Sequence, residues 1–301
     1  MDFSKVKTMR IAFKFSYMGK DYSGLVVQEN VSDTVEARIF DALRKCCLID
    51  PDPETKIANC VYTRCGRTDK GVSALANVCS LIVRHLPKGD YCSRINHCLP
   101  PDIRILAYAE IPPYFDARFS CMYREYKYFF VKGKMDIDLI RQSCKQYIGL
   151  HDFRNFCKKD ESAKFGLQAE DPEDAEQNFM RRIYAFRIVD MSENKYNPEQ
   201  NVCMAIIKGS AFLWHQVRCM MSILFMIGNG TEKPDCISQL LDCDKIADRP
   251  NYDIAEGNNL ILSDCGFEGI RWRNADLFAE IETYRVVKEQ FEQSSIDSSL
   301  L

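Results

Sequence analysis

The stretch Arg64-Cys65-Gly66-Arg67-Thr68-Asp69-Lys70-Gly71-Val72-Ser73-Ala74 places one carboxylate between two cations, with a glycine on either side. Gly66 and Gly71 tolerate a positive φ, so the chain can turn sharply here and present Asp69 rather than bury it. Cations beside an aspartate favour its ionised form, which suits a nucleophile better than a general acid. Two interpretations fit these residues alone: an active-site loop centred on Asp69, or a solvated turn with a local ion pair.

The segments that flank this stretch indicate the fold class. Cys60 to Arg64 and Val78 to Arg84 are predicted strands, which places Asp69 on a strand-to-strand loop. Met9 to Tyr17 alternates in the manner of a half-buried strand, and Thr34 to Leu48 carries apolar residues at helical spacing. Several strands run in hairpin order, and no glycine-rich loop of a doubly wound fold is present. We therefore expect an α+β fold, with helices on one face of a large antiparallel sheet.

The remaining predicted elements continue this alternation. Predicted helices are Tyr91–Leu99, Ile137–Ile148, Ala211–Gly228 and Asp235–Leu241, and predicted strands are Ile103–Ile111, Met180–Asp190, Val202–Gly209 and Leu260–Cys265. Residues 160–178 are acidic and poor in large apolar side chains, which predicts a flexible surface insertion. Residues 276–292 are predicted to form a peripheral helix, and 293–301 a disordered tail.

Composition narrows the class of protein. The 301 residues are 46% hydrophobic and 28% charged, enough for one large or two medium domains with a sizeable core. No run of about 18 apolar residues appears and the N-terminal segment has no apolar signal core, so we expect a cytoplasmic or nuclear protein without a membrane span. The 15 cysteines show neither a CxxC nor a paired zinc spacing. We interpret them as reduced core thiols and expect no metal or cofactor.

The charge is divided unevenly along the chain. The net charge is −3, but residues 1–160 contain 26 Lys and Arg against 19 Asp and Glu, whereas the remaining residues contain 14 against 24. Basic residues can therefore form a local footprint for nucleic acid while acidic segments lie elsewhere. Such segregation also occurs in proteins that bind no nucleic acid.

Two further segments carry candidate functional residues. On a strand, Arg124, Tyr126 and Tyr128 share one face, so two rings would lie beside a guanidinium, a combination that stacks bases and holds phosphates. A hairpin whose tyrosines fill the core is the alternative interpretation. In the apolar helix 211–228, Arg218 is the one permanently charged residue. A buried guanidinium needs a carboxylate, and Asp69 is the candidate.

Residues 66–74, GRTDKGVSA, resemble the active-site motif of the TruA family of tRNA pseudouridine synthases. Tyr17 to Gln28 is similar to the family's first block, Arg124-Glu-Tyr126-Lys-Tyr128 to its R-x-Y-[RK]-Y pattern, and Gly149 to Lys159 to its HDF block. These blocks occur in the family's order across residues 9–270. Cys65 before the motif resembles the eukaryotic branch, which modifies tRNA positions 38 and 39 in the anticodon arm.

The resemblance implies a fold and a division of the chain. The expected fold has two ferredoxin-like halves whose sheets join into one, with the active site in the cleft between them. Residues 1–111 would form the half that carries the catalytic loop, residues 112–270 the second half with the acidic insertion, and residues 271–301 a peripheral helix and tail.

The resemblance also implies an activity, isomerisation of uridine to pseudouridine in tRNA without metal or cofactor. The implied catalytic residues are Asp69, Tyr126 as the active-site tyrosine, and Arg218 as the arginine that pairs with the aspartate. The implied substrate-binding residues are Arg67, Lys70, Arg124, Tyr128, Lys158, Lys159, His215 and Leu260, although His215 also fits a structural role. The expected partner is tRNA, with no membrane, and a homodimer is left open as the assembly.

Other functions remain open from the sequence. A non-catalytic tRNA-binding or chaperone protein on the same scaffold would need a degraded site, but Asp69, Tyr126 and Arg218 are all present. A family member acting at other tRNA positions is a further alternative. A phosphate-binding loop enzyme is disfavoured, because Gly66 to Gly71 lacks the Gly-Lys-Ser/Thr ending.

Overall fold

The computed structural model describes residues 3–28, 31, 33–52, 57–158, 179–191 and 196–274. The predicted acidic insertion 160–178, the helix 276–292 and the tail 293–301 lie outside these residues. In chain order the strands are β1 Thr8–Tyr17, β2 Thr63–Arg64, β3 Ser73–Arg84, β4 Ile103–Glu110, β5 Tyr123–Val131, β6 Gly149–Asp152, β7 Met180–Asp190, β8 Val202–Gly209, β9 Leu260–Gly266 and β10 Arg273–Asn274. The α-helices are α1 Val35–Lys45, α2 Tyr91–Cys98, α3 Ile137–Ser143, α4 Gln216–Gly228 and α5 Cys236–Leu241.

The predicted α+β class is confirmed, and the chain forms two compact units. Unit 1 contains the chain up to Glu125 and again from Gly257, and unit 2 contains Tyr126–Glu256. The boundaries predicted after residues 111 and 270 differ from this division. β9, which the resemblance places in the second half, pairs with β3 of unit 1. The predicted division into halves stays a prediction. The two ferredoxin-like halves and a cleft between them stay predictions.

Unit 1 is built on a mixed sheet. Its strands follow the order β10, β4, β1, β3, β9, with β2 also on β3. β1 is antiparallel to both neighbours, but β3 and β9 run parallel, with Ser73 opposite Ile261 and Ala74 opposite Leu262. An all-antiparallel sheet was therefore the wrong expectation at this pair. Parallel strands need a long connection, and the whole of unit 2 lies between β3 and β9 in sequence.

Local sequence explains the elements around the centre of unit 1. β1 is central, so Ala12 and Ser16 on its second face are buried as well as the apolar residues of the first face. It is thus covered on both faces rather than on one. The Thr34 side chain accepts a hydrogen bond from the Ala37 backbone N–H at 3.4 Å and caps α1, whose apolar face is buried. α1 also packs against α2.

Unit 2 contains the strand order β5, β8, β7, β6 and the helices α3, α4 and α5. α4 is largely buried, as predicted, and α3 packs so closely on it that a Cβ on Gly228 would lie 2.6 Å from Ile140 Cδ1. α4 begins at Gln216 rather than at residue 211, because His215 has a left-handed backbone with φ 63°. β6, in the HDF block, was not predicted. Among the described residues, no helix is long and apolar enough to cross a bilayer.

Candidate active site

The loop between β2 and β3, residues 65–72, is here called the Asp69 loop. Its first residues are fixed by the fully buried side chain of Asn77. The Asn77 amide accepts a hydrogen bond from Gly66 N–H at 3.1 Å and donates one to the Gly66 carbonyl at 3.0 Å. Cys65 N–H donates to the Val78 carbonyl at 2.8 Å. Backbone groups of a loop rarely find such buried partners, so the start of this loop is held as firmly as a strand.

The middle of the Asp69 loop is held from the opposite side. The hydroxyls of Tyr17 and Thr68 are hydrogen-bonded at 2.7 Å in the core, and Leu25 N–H donates to the Thr68 carbonyl at 3.2 Å. Burial raises the pKa of Tyr17 well above its usual range, so its phenol stays protonated. Val72 N–H donates to the Asp69 carbonyl at 3.2 Å and closes a turn around residues 69–72. Asp69 therefore lies at the corner of an anchored turn.

Two glycines allow the backbones around this turn to approach each other. Gly71 has φ +81°, and a Cβ there would lie 2.0 Å from Asn258 Oδ1. A Cβ on Gly19 would lie 2.1 Å from the carbonyl oxygen of Val72. Gly71 therefore meets both conditions that require glycine, a left-handed backbone and a close neighbour. The sequence-based argument for this glycine is confirmed.

The anchored turn presents three charged side chains. Arg67 and Lys70 are exposed, and Asp69 between them is half-buried. The buried residues of the loop are the ones without charge, Cys65, Gly66, Thr68, Gly71 and Val72. The structure thus places a half-buried carboxylate, on a hydrogen-bonded turn, between two exposed cations. This arrangement suits attack by the carboxylate on a polyanionic substrate that the cations attract.

A buried ion pair that the sequence analysis missed supports the strand before the loop. Arg64 Nε pairs with Glu36 Oε1, and the Glu36 side chain is 1% exposed. Tyr62 donates its hydroxyl hydrogen to the same oxygen at 2.8 Å, and Val27 N–H donates to Glu36 Oε2 at 3.1 Å. A buried carboxylate with three donors is well compensated. The signal in the sequence was Glu36, which lies next to Val35 at the start of the apolar face of α1.

Arg124 supports the Asp69 loop from β5. It is 7% exposed, and its guanidinium donates to the carbonyls of Arg118 at 2.7 Å and Cys65 at 3.2 Å. Both hydrogen bonds hold the protein backbone in place. Arg124 was predicted to bind substrate, and the structure shows that it also positions the Asp69 loop. Leu260, another predicted substrate contact, is buried in β9 of the same unit. Contact of either residue with substrate stays a prediction.

Three buried thiols meet where the Asp69 loop begins. The Sγ atoms of Cys65, Cys121 and Cys265 all lie within 4.8 Å of one another. Hydrogen bonds from Cys265 and then Cys65 lower the pKa of the Cys121 thiol, and Arg124 contributes in the same direction. Hydrogen bonds with Cys121 and then Cys65, together with burial, raise the pKa of the Cys265 thiol. The three cysteines come from the loop, the segment before β5, and β9. The sequence-based interpretation as reduced core thiols did not predict that these three residues meet.

The tyrosines of β5 in unit 2 are buried. Tyr126 is 7% exposed and packs edge-to-face against Phe212, with ring centroids 5.0 Å apart. Tyr128 is 1% exposed and packs against Phe225. With Arg124 they share one face of β5, as predicted, but this face is the buried one. Tyr128 is thus packed in the core of unit 2. Its predicted contact with substrate and the catalytic role of Tyr126 stay predictions.

Arg218 lies in the first turn of α4, half-buried, and its Nε donates to the Ala255 carbonyl at 2.6 Å. A cation at this end is opposed by the helix dipole, so helix stability does not explain its position. The neighbouring carbonyl fixes the guanidinium within unit 2. Asp69 belongs to unit 1, and its pairing with Arg218 stays a prediction.

A surface group in unit 2, here called the Trp214 cluster, consists of Lys158, Trp214 and His215. Lys158 Nζ lies 4.7 Å from the centroid of the Trp214 ring, and Lys158 N–H donates to the Trp214 carbonyl at 3.0 Å. The rings of Trp214 and His215 are 4.9 Å apart, and Trp214 is 45% exposed. The predicted contacts Lys158 and His215 are thus brought together by a tryptophan that the sequence analysis missed. Lys159 lies outside the described residues.

The outward face of β7 in unit 2 is basic. Arg182, Tyr184 and Arg187 are exposed, and Lys208 of β8 lies opposite Ala185. Exposed cations around an exposed ring are typical of surfaces that bind RNA backbone and unstacked bases. The signal in the sequence was the presence of Arg181, Arg182 and Arg187 in β7 without an acidic residue before Asp190.

Known proteins share this sequence pattern. A family described as tRNA pseudouridine synthase matches residues 143–268. The chain is 34% identical over 235 residues to tRNA pseudouridine synthase A of Methanosarcina acetivorans, covering 78% of this chain and 76% of that protein. The chain belongs to the tRNA pseudouridine synthase family. The resemblance to TruA-type enzymes is therefore confirmed.

Two eukaryotic members of this family are more similar in sequence. The chain is 39% identical over 295 residues to the tRNA pseudouridine(38/39) synthase of Bos taurus, covering 90% of this chain and 58% of the relative. It is 39% identical over 303 residues to the tRNA pseudouridine(38/39) synthase of Saccharomyces cerevisiae, covering 95% and 63%. The chain thus spans about three fifths of the length of these relatives.

Proposed function

We propose that this family member converts uridine to pseudouridine in the anticodon arm of tRNA, at positions 38 and 39. The observation that carries the proposal is the Asp69 loop: a half-buried carboxylate between two exposed cations, on a backbone anchored by Asn77 and Tyr17. The names of the eukaryotic relatives support the position, because both are tRNA pseudouridine(38/39) synthases. A family member acting at other positions is the alternative.

The reaction is an isomerisation, so every atom of the uridine is retained. The N1–C1′ bond breaks, the base rotates, and a C5–C1′ bond forms; C5 then loses its proton while N1 gains one. Asp69 would attack C1′ or C6, or stabilise a glycal intermediate, and the proposal covers all three routes. Tyr126 would accept the C5 proton, and Arg218 would pair with the Asp69 carboxylate and orient it.

The uridine must leave the base stack before any of these steps. Extruding a base costs a few kcal/mol, which contacts between protein and the flipped nucleotide must offset. Arg67 and Lys70 are exposed beside Asp69 and are proposed to hold the phosphates around the target. The Trp214 cluster and the basic face of β7 would contact other parts of the tRNA. A homodimer and a cytoplasmic or nuclear location stay predictions.

The test is pseudouridine mapping by sequencing after the chain is incubated with a tRNA that carries uridine at positions 38 and 39. We expect modification at these positions, a loss of at least about a thousand-fold in Asp69→Asn, and tRNA affinity within a few-fold of wild type. Asp41→Asn is the matched control, because Asp41 is an exposed aspartate of unit 1 beside Arg44. Tight binding with no turnover by the wild-type chain would favour the non-catalytic alternative.

Arg218 and Tyr126 are tested by single-turnover rates. Arg218→Met should slow the chemical step about a hundred-fold with little change in tRNA affinity. Arg141→Met, on α3 of the same unit, is the control and should leave the rate of the chemical step unchanged. Tyr126→Phe keeps the ring against Phe212 and removes the hydroxyl. A wild-type rate in Tyr126→Phe would remove this residue from proton transfer and leave it as a packing residue.

A further inference from the structure

The three-thiol group at the start of the Asp69 loop is built from segments that are distant in sequence. Cys65 is the first residue of the loop, Cys121 precedes β5, and Cys265 lies near the end of β9. All three side chains are buried, and their Sγ atoms lie within 4.8 Å of one another. Among the described residues, this is the one group of three or more potential ligand side chains that meets in this way.

The distances fit coordination of a single ion. Three sulfurs bound to one Zn²⁺ at about 2.3 Å lie about 3.8 to 4.0 Å apart, so each thiol would need to move by less than about 1 Å. A disulfide requires two of the sulfurs at about 2.05 Å and leaves the third thiol unused. The three sulfurs therefore suit three positions of one tetrahedral ion better than a disulfide, which would use only two of them.

The charge around the thiols favours a divalent cation. Metal binding releases the thiol protons, so three thiolates and one divalent ion carry a net charge of −1. The buried guanidinium of Arg124, next to Cys65, supplies +1 beside them. The same guanidinium donates to the Cys65 carbonyl at 3.2 Å. A monovalent ion such as Cu⁺ would leave the group with an excess negative charge in a buried place, which is costly.

We propose that Cys65, Cys121 and Cys265 form a binding site for a thiophilic d¹⁰ metal ion, with Zn²⁺ as the ion that the local charge favours. The role of the ion is structural: it ties the first residue of the Asp69 loop to β9 and to the segment before β5. It would act alongside Asn77 and Arg124, which fix the next residue and the Cys65 carbonyl. The site is separate from the proposed chemistry of Asp69.

The first test measures the metal content of the full chain. The chain is purified without chelators from cells supplied with zinc and copper, and its metals are quantified by mass spectrometry. We expect about one zinc per chain in wild type and at least a tenfold loss in Cys121→Ser. Cys92→Ser is the matched control, because Cys92 is a buried thiol of unit 1 on α2, and it should keep the ion.

A second measurement identifies the ligands and does not depend on Cys121→Ser being folded. Replacing zinc by Co²⁺ in wild type should give thiolate-to-cobalt charge-transfer absorption, and this absorption should be absent in Cys65→Ala. A chelator should lower the melting temperature of wild type and leave that of Cys65→Ala unchanged. Circular dichroism confirms that each variant is folded.

Three results would overturn the proposal. The first is that the wild-type protein contains less than about 0.1 metal ion per chain and that, after unfolding, all three of its thiols react with an alkylating reagent. The second is a disulfide between any two of the three cysteines in a non-reducing peptide map. The third is folded Cys121→Ser or Cys65→Ala with the metal content of wild type. None of these readouts requires pseudouridine formation, so the outcome is independent of the proposed activity.

Discussion

The Asp69 loop and the Trp214 cluster both present cations to solvent, but they are held in different ways. In the loop, exposed Arg67 and Lys70 extend from a backbone whose amides and carbonyls are bound by buried side chains such as Asn77. In the Trp214 cluster, Lys158 is held by one ring at 4.7 Å and one backbone hydrogen bond. The loop is thus fixed by the core, and the cluster is fixed by its own surface contacts.

The difference matches what each region has to do. A reacting group must stay within a fraction of an ångström of its target, because a displacement of about 1 Å can cost a hundred-fold in rate. Binding to phosphates depends on the number of positive charges nearby and tolerates loose positioning. Substitutions that free the loop should therefore reduce the rate, whereas substitutions in the cluster should reduce affinity.

Among the variants that compare these two regions, the largest effect is expected from Asn77→Leu, which removes both hydrogen bonds to Gly66 while keeping a buried side chain of similar size. Each backbone group left without a partner costs about 1–3 kcal/mol, so the start of the loop should move to find new partners. We expect kcat/KM to fall at least about a hundred-fold, with tRNA affinity within a few-fold. Steady-state kinetics and a binding titration measure the two quantities.

Asn96→Leu is the matched control for this variant. Asn96 on α2 donates to the Ile105 carbonyl at 2.9 Å and accepts from Ile105 N–H at 2.7 Å, the same paired arrangement on a different strand of unit 1. It should lower the melting temperature but leave the rate per folded molecule unchanged. Equal losses of rate in both variants would mean that general destabilisation, and not the position of the loop, controls activity.

A smaller effect is expected from Gly71→Ala, at the other end of the loop. The left-handed backbone costs a non-glycine residue about 1–2 kcal/mol, and the new methyl group would also meet Asn258 Oδ1. We expect kcat/KM to fall about tenfold. In Gly133→Ala the backbone has φ +54° with no atom within 4 Å, so the same strain should leave kinetics unchanged.

Asn258→Ala provides a second check on the Gly71 contact. If the clash with the Asn258 side chain displaces the loop, the double variant should recover most of the lost activity. No recovery would attribute the effect to the backbone of Gly71 alone. Both outcomes are read from kcat/KM at matched amounts of folded protein.

The sequence predicted the loop but not what holds it. Short-range pattern was sufficient for β1, α1 and the turn at Gly71, because each depends on spacing within a few residues. The Glu36–Arg64 pair joins residues 28 positions apart, and the Asn77 bonds to Gly66 span the loop itself. Such contacts depend on how elements pack, which periodicity within one element does not report.

Two further features could not be predicted from the sequence, for the same reason. Cys65, Cys121 and Cys265 match no metal-binding spacing, because the three residues meet only through the pairing of β3 with β9 and the approach of β5. The burial of Tyr128 was one of two interpretations that the sequence left open, since alternation along β5 identifies a shared face without saying which face is covered.

A moderate effect on binding alone is expected from Lys158→Gln in the Trp214 cluster. Removing one phosphate contact should weaken tRNA affinity about threefold to tenfold and reduce the salt slope by about 1. The rate at saturating tRNA should stay within twofold of wild type. Lys245→Gln, in the same unit beside Asp242, should change neither quantity. An unchanged salt slope in Lys158→Gln would exclude this lysine from the tRNA interface.

The smallest effect is expected from Tyr128→Phe, a residue that belongs neither to the anchored loop nor to the surface cluster. Its ring is 1% exposed and packs against Phe225, so the hydroxyl has no surface through which to meet a base. Loss of the hydroxyl should cost about 1 kcal/mol of stability, the net value of a typical buried hydrogen bond, and change the single-turnover rate less than twofold. Thermal denaturation and single-turnover assays of Tyr128→Phe beside Tyr126→Phe give the comparison. A tenfold slower rate in Tyr128→Phe, with unchanged stability, would mean that β5 opens this face when tRNA binds and that Tyr128 acts on the substrate after all.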